Sequence, residues 1–449
     1  MGIRIPLFYS GIPMIIPELK WMLIGESLAS GNLMYRDVWD FTGPLAAGTY
    51  AMIHLVFGKS LLAMRSISIV LVLIQSSIFN SLLLRNKALN SNTYVPALLY
   101  VLFMHISFDF MSLSPVLMGM TFVLLAIDHL FQRMDNMTKD NLFVRMGLFL
   151  GLATLLYLPF VLYFLVIIVS LLVYTGSIFR RMFLMIYGFL LVLLSASLYY
   201  YWSDSLSIFR LQYFDSIFTL KAFNYFSTLE YIGLVAVPLL VFIISLIKTK
   251  TLGRYVNFQI KIQSVMLMFM VFGVLSILMT KELAIYQMIF FVPGMAFFCA
   301  HYLLALRNWI VSEAIFGIIA MLILLNMLFP LKRWLFFDEI VSYDSLVVKN
   351  APYNGITEGR SLLIIGDDIS LYKNSALATP YLNWQFSKAH LQNLSYYDNL
   401  TEVFANFHQN SPEVIIDQKN IVPDLFRKMP TIALRYKKHN SFEHVYLMK

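Results

Sequence analysis

A single cysteine, Cys299, occurs in the 449 residues, which excludes an internal disulfide and any cysteine-based zinc cluster. Charge is scarce too: Asp, Glu, Lys and Arg together make up 13% of the chain, against roughly 25% in an ordinary soluble domain. His54, His105, His129 and His301 stand singly in apolar runs without metal-ligand spacing, so no metal site is expected. No glycine-rich phosphate loop and no nucleophile elbow occur. Gly366-Asp367-Asp368 lacks the rest of a dinucleotide fingerprint and reads as a strand-end turn. No long basic run accompanies the net charge of +8, which argues against nucleic acid as a partner. What is abundant is apolar surface: 59% of residues are hydrophobic and mean hydropathy is +0.73. The length alone would fit two or three soluble domains, but this chain has too few polar side chains to cover itself in water. It reads as an all-α polytopic membrane protein.

A bilayer-spanning helix takes about 20 mostly apolar residues. Such runs lie near 61–84, 93–108, 114–131, 143–157, 160–178, 182–202, 231–247, 262–280, 284–304 and 309–331. The residues before Pro17 leave room for one further, short span, giving ten or eleven transmembrane helices. That stretch is broken by Pro6, Pro13 and Pro17, so no cleavable signal peptide is expected. The texture changes over 332–449, where short apolar runs alternate with polar turns. Leu362 to Asp367 and Glu413 to Asp417 read as buried strands, and 396–409 has helical spacing. The expected organisation is a membrane domain over 1–331 followed by a small α/β domain over 332–449, large enough for its own core.

Lys and Arg distribution sets the orientation. With Arg85 and Lys87 cytoplasmic, alternation puts Arg133, Lys139, Arg180, Arg181, Lys248, Lys250, Arg254, Lys261 and Arg307 on the same side. The opposite loops hold only Arg210, Lys221 and Lys281, with Lys332 and Arg333 against the trend. Residues 17–60, the 203–229 loop and the C-terminal domain are thereby expected outside the cytoplasm, in a multi-pass inner membrane protein.

The most informative stretch is 17–60. It carries Glu18, Glu26, Asp37 and Asp40 beside Lys20, Arg36 and Lys59, with Trp21, Tyr35, Trp39, Phe41 and Tyr50 as interfacial anchors. The spacing of Glu18, Met22 and Gly25 predicts an amphipathic helix over 18–30 lying on the membrane surface. Gly43-Pro44 then breaks the chain before a second helix, 45–57. Composition by itself fits a solvated interfacial hairpin as well as a functional loop.

The order of residues here resembles the first external loop of GT-C membrane glycosyltransferases, the class that includes protein O-mannosyltransferases and the aminoarabinose transferase of lipid A. Pro17-Glu18 stands at the acidic pair that opens that loop, and Gly31 to Tyr35-Arg36-Asp37 at the Gly-x-x-x-Tyr-x-Asp stretch. Thr42-Gly43-Pro44-Leu45 stands at Lys-Pro-Pro-Leu, Phe57-Gly58 at the end of the following helix, and Ala63-Met64-Arg65 at the start of the next span. Phe108-Asp109 resembles the second-loop Asp, and Lys281 to Tyr286 followed by Pro293 resembles a late Arg/Lys…Tyr…Pro element. Three positions depart from the pattern: Pro17 replaces an Asp, and Thr42 and Tyr157 replace lysines.

The resemblance implies transfer of a sugar from a polyprenyl-phosphate carrier to an extracytoplasmic acceptor, with no separate cofactor beyond that lipid-linked donor. Such a step needs a base for the acceptor's proton and cationic or hydrogen-bonding groups for the departing phosphate. Glu18 is the first candidate for the base, with Asp37 and Asp40 as alternates and Asp109 to orient the acceptor. Arg36, Arg65 and Lys281 are candidates for the phosphate, with Tyr286 beside them. The site is expected among the 17–60 loop, Asp109 and Lys281. Membrane lipids and the lipid-linked sugar are the expected partners, with envelope proteins meeting the C-terminal domain. The three departures leave catalysis open, and the alternative is a non-catalytic relative that binds lipid or scaffolds an envelope complex. A transporter fits less well, because ionisable residues gather at one face rather than mid-span.

Overall fold

A computed structural model describes residues 12–134, 140–175, 179–219, 223–332, 343–349, 353–378 and 380–449. Residues 1–11 of the short span expected before Pro17, and the loop charges Lys139, Lys221 and Arg333, lie outside the described residues. The chain forms two compact units. One comprises Met1–Ile12, Leu62–Ala196 and Ala222–Ser345; the other comprises Pro13–Leu61, Ser197–Lys221 and Leu346–Lys449.

The first unit is helical. Among the described residues of the whole chain, seven helices are long and apolar enough to cross a membrane: Leu61–Arg85, Pro115–Met134, Arg180–Trp202, Thr228–Leu252, Asn257–Leu278, Ile285–Ala305 and Trp309–Leu328. The expected runs at 143–157 and 160–178 form shorter apolar helices, Asn141–Leu156 and Leu158–Tyr174. The run at 93–108 does not make a span. Val95–Phe103 has nine residues, about 14 Å of helix against a hydrocarbon core of ~30 Å. A short 3-10 turn, Phe108–Met111, follows it, and Pro115 opens the next helix. This multi-pass architecture is held by close helix contacts at small residues. A Cβ on Gly147 would sit 2.0 Å from the Met185 carbonyl oxygen, and one on Gly188 would sit 2.4 Å from that of Val144. Two short strands, β1 (Phe223–Asn224) and β2 (Glu282–Leu283), pair in parallel across this unit's turns.

The second unit joins residues far apart in sequence. Helix α1 (Ile16–Ala29) and helix α2 (Pro44–Phe57) pack closely: a Cβ on Gly25 would lie 2.6 Å from the Tyr50 carbonyl oxygen. Trp21 stacks on Tyr50 with ring centroids 5.7 Å apart. Every residue of α1 from Pro17 to Gly25 is buried. This differs from the surface-lying amphipathic helix that the spacing predicts: α2 and the tail residues cover faces that the local sequence would leave open.

The tail of this unit is a small α/β domain with a five-stranded sheet. Strands β3 (Ser361–Ile365), β4 (Ala376–Leu377), β5 (Val414–Asp417), β6 (Tyr436–Lys438) and β7 (Val445–Met448) lie in the order β4-β3-β5-β7-β6. β4, β3 and β5 are parallel, while β7 and β6 run antiparallel to their neighbours. All four residues of β5 and four of the five in β3 are buried, as a parallel centre demands. Helices Trp384–Gln392 and Tyr397–Gln409 connect β4 to β5 and help close the core. Trp39, from the 17–60 loop, is part of that core together with Leu363, Ile365, Tyr381 and Ile415.

Candidate functional site

Of the residues singled out above, Glu18, Arg36, Asp37 and Asp40 belong to the second unit and Arg65, Asp109, Lys281 and Tyr286 to the first. In the second unit, the 30–43 loop is built like an edge of the tail domain. The Trp39 amide donates to the Pro380 carbonyl at 2.8 Å, and its own carbonyl accepts from Asn383 at 3.2 Å. The Trp39 ring meets Tyr381 edge-on at 5.0 Å.

This clamp places Asp40 at the interior, fully buried. One of its oxygens accepts from the Thr42 amide at 2.8 Å and from the Thr42 hydroxyl. The other accepts from the Asn383 side chain at 2.9 Å and faces the Lys20 ammonium at 3.3 Å. Lys20 also lies over the Phe41 ring, 4.5 Å from its centroid. A buried carboxylate needs such complete pairing; it leaves Asp40 as an anchor between α1, the loop and the tail.

Asp37 and Arg36 form their own pair nearer the surface. The guanidinium forks onto the neighbouring carboxylate with two contacts of 2.9 Å, and the Leu33 amide donates to Asp37 at 2.7 Å. Hydrogen bonding to Asp37 raises the Arg36 pKa further. Tyr35, between them and the core, has a positive φ of 73°. Its hydroxyl donates to the Thr42 carbonyl at 2.7 Å, its carbonyl accepts from Gln212 at 3.1 Å, and its ring packs among Tyr200, Phe209 and Tyr213. Burial holds the Tyr35 hydroxyl well above the usual phenol range, and Tyr200, Tyr213 and Asp40 add to that. Glu18 is buried in the first turn of α1, where its carboxylate accepts from the Ile15 amide at 3.2 Å. At the other end of α1, Glu26 pairs with Lys59 at 3.0 Å, and Lys59 donates to the Ser375 carbonyl at 3.0 Å.

In the first unit, the structure joins Asp109 and Tyr286 directly. The buried Asp109 carboxylate accepts from the Tyr286 amide at 2.7 Å. Tyr343 lies close by, its hydroxyl 3.0 Å from that of Ser107. Burial, and then the Asp109 charge, push the Tyr343 hydroxyl above the usual phenol range. Lys281 sits half-buried in the turn after Asn257–Leu278, its carbonyl accepting from the Phe223 amide at 2.7 Å. Burial lowers the Lys281 ammonium's pKa. The Gln287 amide donates to the Tyr157 hydroxyl at 3.1 Å and to the Glu282 carbonyl. Tyr157 is thereby tied through Gln287 to the polar turn that carries Lys281. Arg65 is buried near the start of its helix and donates to the Ile12 carbonyl at 3.2 Å.

Sequence reasoning named Lys20 without giving it a role and passed over Asn383, both partners of Asp40, and Gln287, the partner of Tyr157. Lys20 carried a usable signal, since a lone lysine inside the apolar run Leu19 to Ile24 needs a counter-charge. Asn383 carried none. Among the described residues, no group of three or more His, Cys, Asp or Glu side chains could hold a metal ion.

The fold that presents these groups is one already seen in a solved membrane-protein structure. The chain is similar in fold over its whole length to ArnT from Cupriavidus metallidurans. Against the crystal structure of ArnT bound to undecaprenyl phosphate the TM-score is 0.59 at 11% identity, covering 100% of this chain and 96% of that one. Against ArnT in the apo state it is 0.58 at 13% identity, with the same coverage. No family model matches the chain, and no curated protein matches it.

Proposed function

We propose that this protein transfers a sugar from a polyprenyl-phosphate carrier to an acceptor outside the cytoplasm, with the 17–60 loop and the tail domain on that face of the inner membrane. The observation that carries the reading is the full-length likeness to ArnT, a protein solved with undecaprenyl phosphate bound. The donor is the lipid-linked sugar itself, and no separate cofactor is required.

Glu18 is assigned as the base that takes the acceptor's proton. Asp109 is assigned to orienting the acceptor, since one of its oxygens is already fixed by the Tyr286 amide. Lys281, Arg65 and Arg36 are assigned to the carrier phosphate, whose charge grows as the glycosidic bond breaks. Tyr286 is placed with them because it follows Lys281 in the polar turn. The half-burial of Lys281 suits this task, because a partly desolvated cation gains more from a phosphate than one in bulk water. Asp37 is kept as the alternate base. Asp40 acts by positioning, because its acceptor sites are occupied by Thr42, Asn383 and Lys20.

A second reading, a relative that binds lipid and scaffolds envelope proteins through the tail domain, is favoured by one feature. Asp37 and Asp40 are both committed to cations of the chain itself. Alanine at Glu18, Asp37 and Asp40, each expressed to the wild-type level, separates the two. The transferase reading expects Glu18→Ala to change the cell-surface glycan profile as fully as loss of the gene. Unchanged profiles in all three variants would leave only the scaffold.

A further inference from the structure

Two adjoining cavities in the first unit hold polar groups that the proposed transfer does not use. The first, of about 280 Å³, is lined by Asn90, Arg254, Tyr255 and His301 with apolar walls from Leu252 and Leu304. The second, of about 360 Å³, is lined by Lys250, Tyr255 and Gln263 with walls from Leu267 and Phe298. Tyr255 is common to both. The Tyr255 ring folds back over Gly253, where a Cβ would meet its hydroxyl end and push the ring aside.

Three polar atoms here are buried without a hydrogen-bond partner among the described residues: His301 Nε2, the Tyr255 hydroxyl and Gln263 Nε2. His301 as a whole is only 3% exposed. Buried donors left unmatched are costly, and a cluster of them in one lining has the character of a binding site. Each can donate: an imidazole N–H, a phenol O–H and an amide N–H. Arg254 and Lys250 add two positive charges, and no Asp or Glu is among the lining residues. Asn90 fixes the Arg254 backbone by donating to its carbonyl at 3.5 Å, and its own carbonyl oxygen accepts from Gln259 at 2.9 Å. Donors and cations with no carboxylate select an anion, and the planar Arg254 fork suits phosphate oxygens.

The position identifies the source of that phosphate. Ile260 and Gln263 lie in the first turns of Asn257–Leu278, whereas Lys281 follows its far end, about 27 Å further along the axis at 1.5 Å per residue. The cavities are therefore remote from the polar turn assigned to the transfer. They sit among the basic loops that the charge distribution marks as cytoplasmic, where basic pockets between helices meet anionic lipid. The geometry points to a second site that binds the phosphate of an anionic phospholipid head group, with the apolar walls taking the start of its acyl region. This inference is independent of transferase activity.

The test uses the full-length protein in nanodiscs of phosphatidylcholine containing phosphatidylglycerol, with retained lipid counted by native mass spectrometry after extraction. The wild type is expected to retain phosphatidylglycerol over phosphatidylcholine by about tenfold. Arg254→Ala and His301→Phe should each lower that preference by about tenfold, the scale of one charged hydrogen bond. Arg307→Ala, a basic side chain outside the lining, should leave it intact. If His301→Phe yields too little folded protein, Lys250→Ala and Gln263→Leu carry the same expectation. Absence of lipid preference in the wild type, or equal preference in every variant, would overturn the site. A second arm adds inorganic phosphate to lipid-depleted protein in detergent and reads the unfolding midpoint. No rise is expected; a rise that Arg254→Ala abolishes would assign the cavities to a soluble phosphate and overturn the lipid assignment.

Discussion

The Asp40 carboxylate accepts from Thr42 and Asn383 and faces the Lys20 ammonium, all in an interior that excludes water. Removing the cation alone strands a buried negative charge, so Lys20→Met should destabilise the protein by about 3–5 kcal/mol. Adding Asp40→Asn should recover part of that loss, because a neutral amide costs less to keep buried. Unfolding midpoints of the single and double variants in matched detergent check this. A double variant less stable than Lys20→Met would show that Asp40 holds the loop through Thr42 and Asn383 rather than through charge. The same residues show where sequence reading ends. Lys20 inside an apolar run announces a buried counter-ion, but nothing local tells which of Glu18, Glu26, Asp37 or Asp40 supplies it. Asn383 stands 343 residues from Asp40 and is one asparagine among many until the chain is folded.

Helices α1 and α2 meet across Gly25 so closely that a Cβ would press on the Tyr50 backbone. Gly25→Ala is therefore expected to cost about 1–3 kcal/mol, the range for overpacking a filled contact. Gly48, on α2, has nothing within 4 Å of its ideal Cβ. Gly48→Ala should stabilise by up to about 1 kcal/mol through helix propensity alone. Opposite signs for two glycines on facing helices, read from thermal unfolding, check the packing; equal effects would contradict it. At this scale the apolar runs were readable, because some 20 residues with almost no charge have one physical explanation. The run at 93–108 misled because a short helix, Val95–Phe103, and the 3-10 turn that follows it are together as apolar as a span. The surface helix expected over 18–30 misled for the opposite reason. Its few polar residues look like a wet face until Asp40 and the tail turn out to cover them.

Across the whole molecule, the tail is not a detached module: Trp39 of the loop completes its core. The small α/β fold of 332–449 was legible from two runs, Leu362 to Ile365 and Val414 to Ile416, which became the parallel strands β3 and β5. That the 17–60 loop and this tail form one compact unit was not, since the contacts at Pro380 and Asn383 lie some three hundred residues downstream of their partners in the loop. The GT-C pattern in the loop predicted the fold that the likeness to ArnT shows. It left the donor and acceptor open, because sugars are read by side chains that vary around a common scaffold.

The most direct measurement is the pool of polyprenyl-phosphate-linked sugar in cells lacking this protein, followed by lipid mass spectrometry. The account predicts that one such lipid accumulates in the deletion strain. Wild-type protein should clear it, and Glu18→Ala at equal abundance should not. Clearance by Glu18→Ala as complete as by the wild type, or no accumulation on deletion, would contradict the proposed transfer.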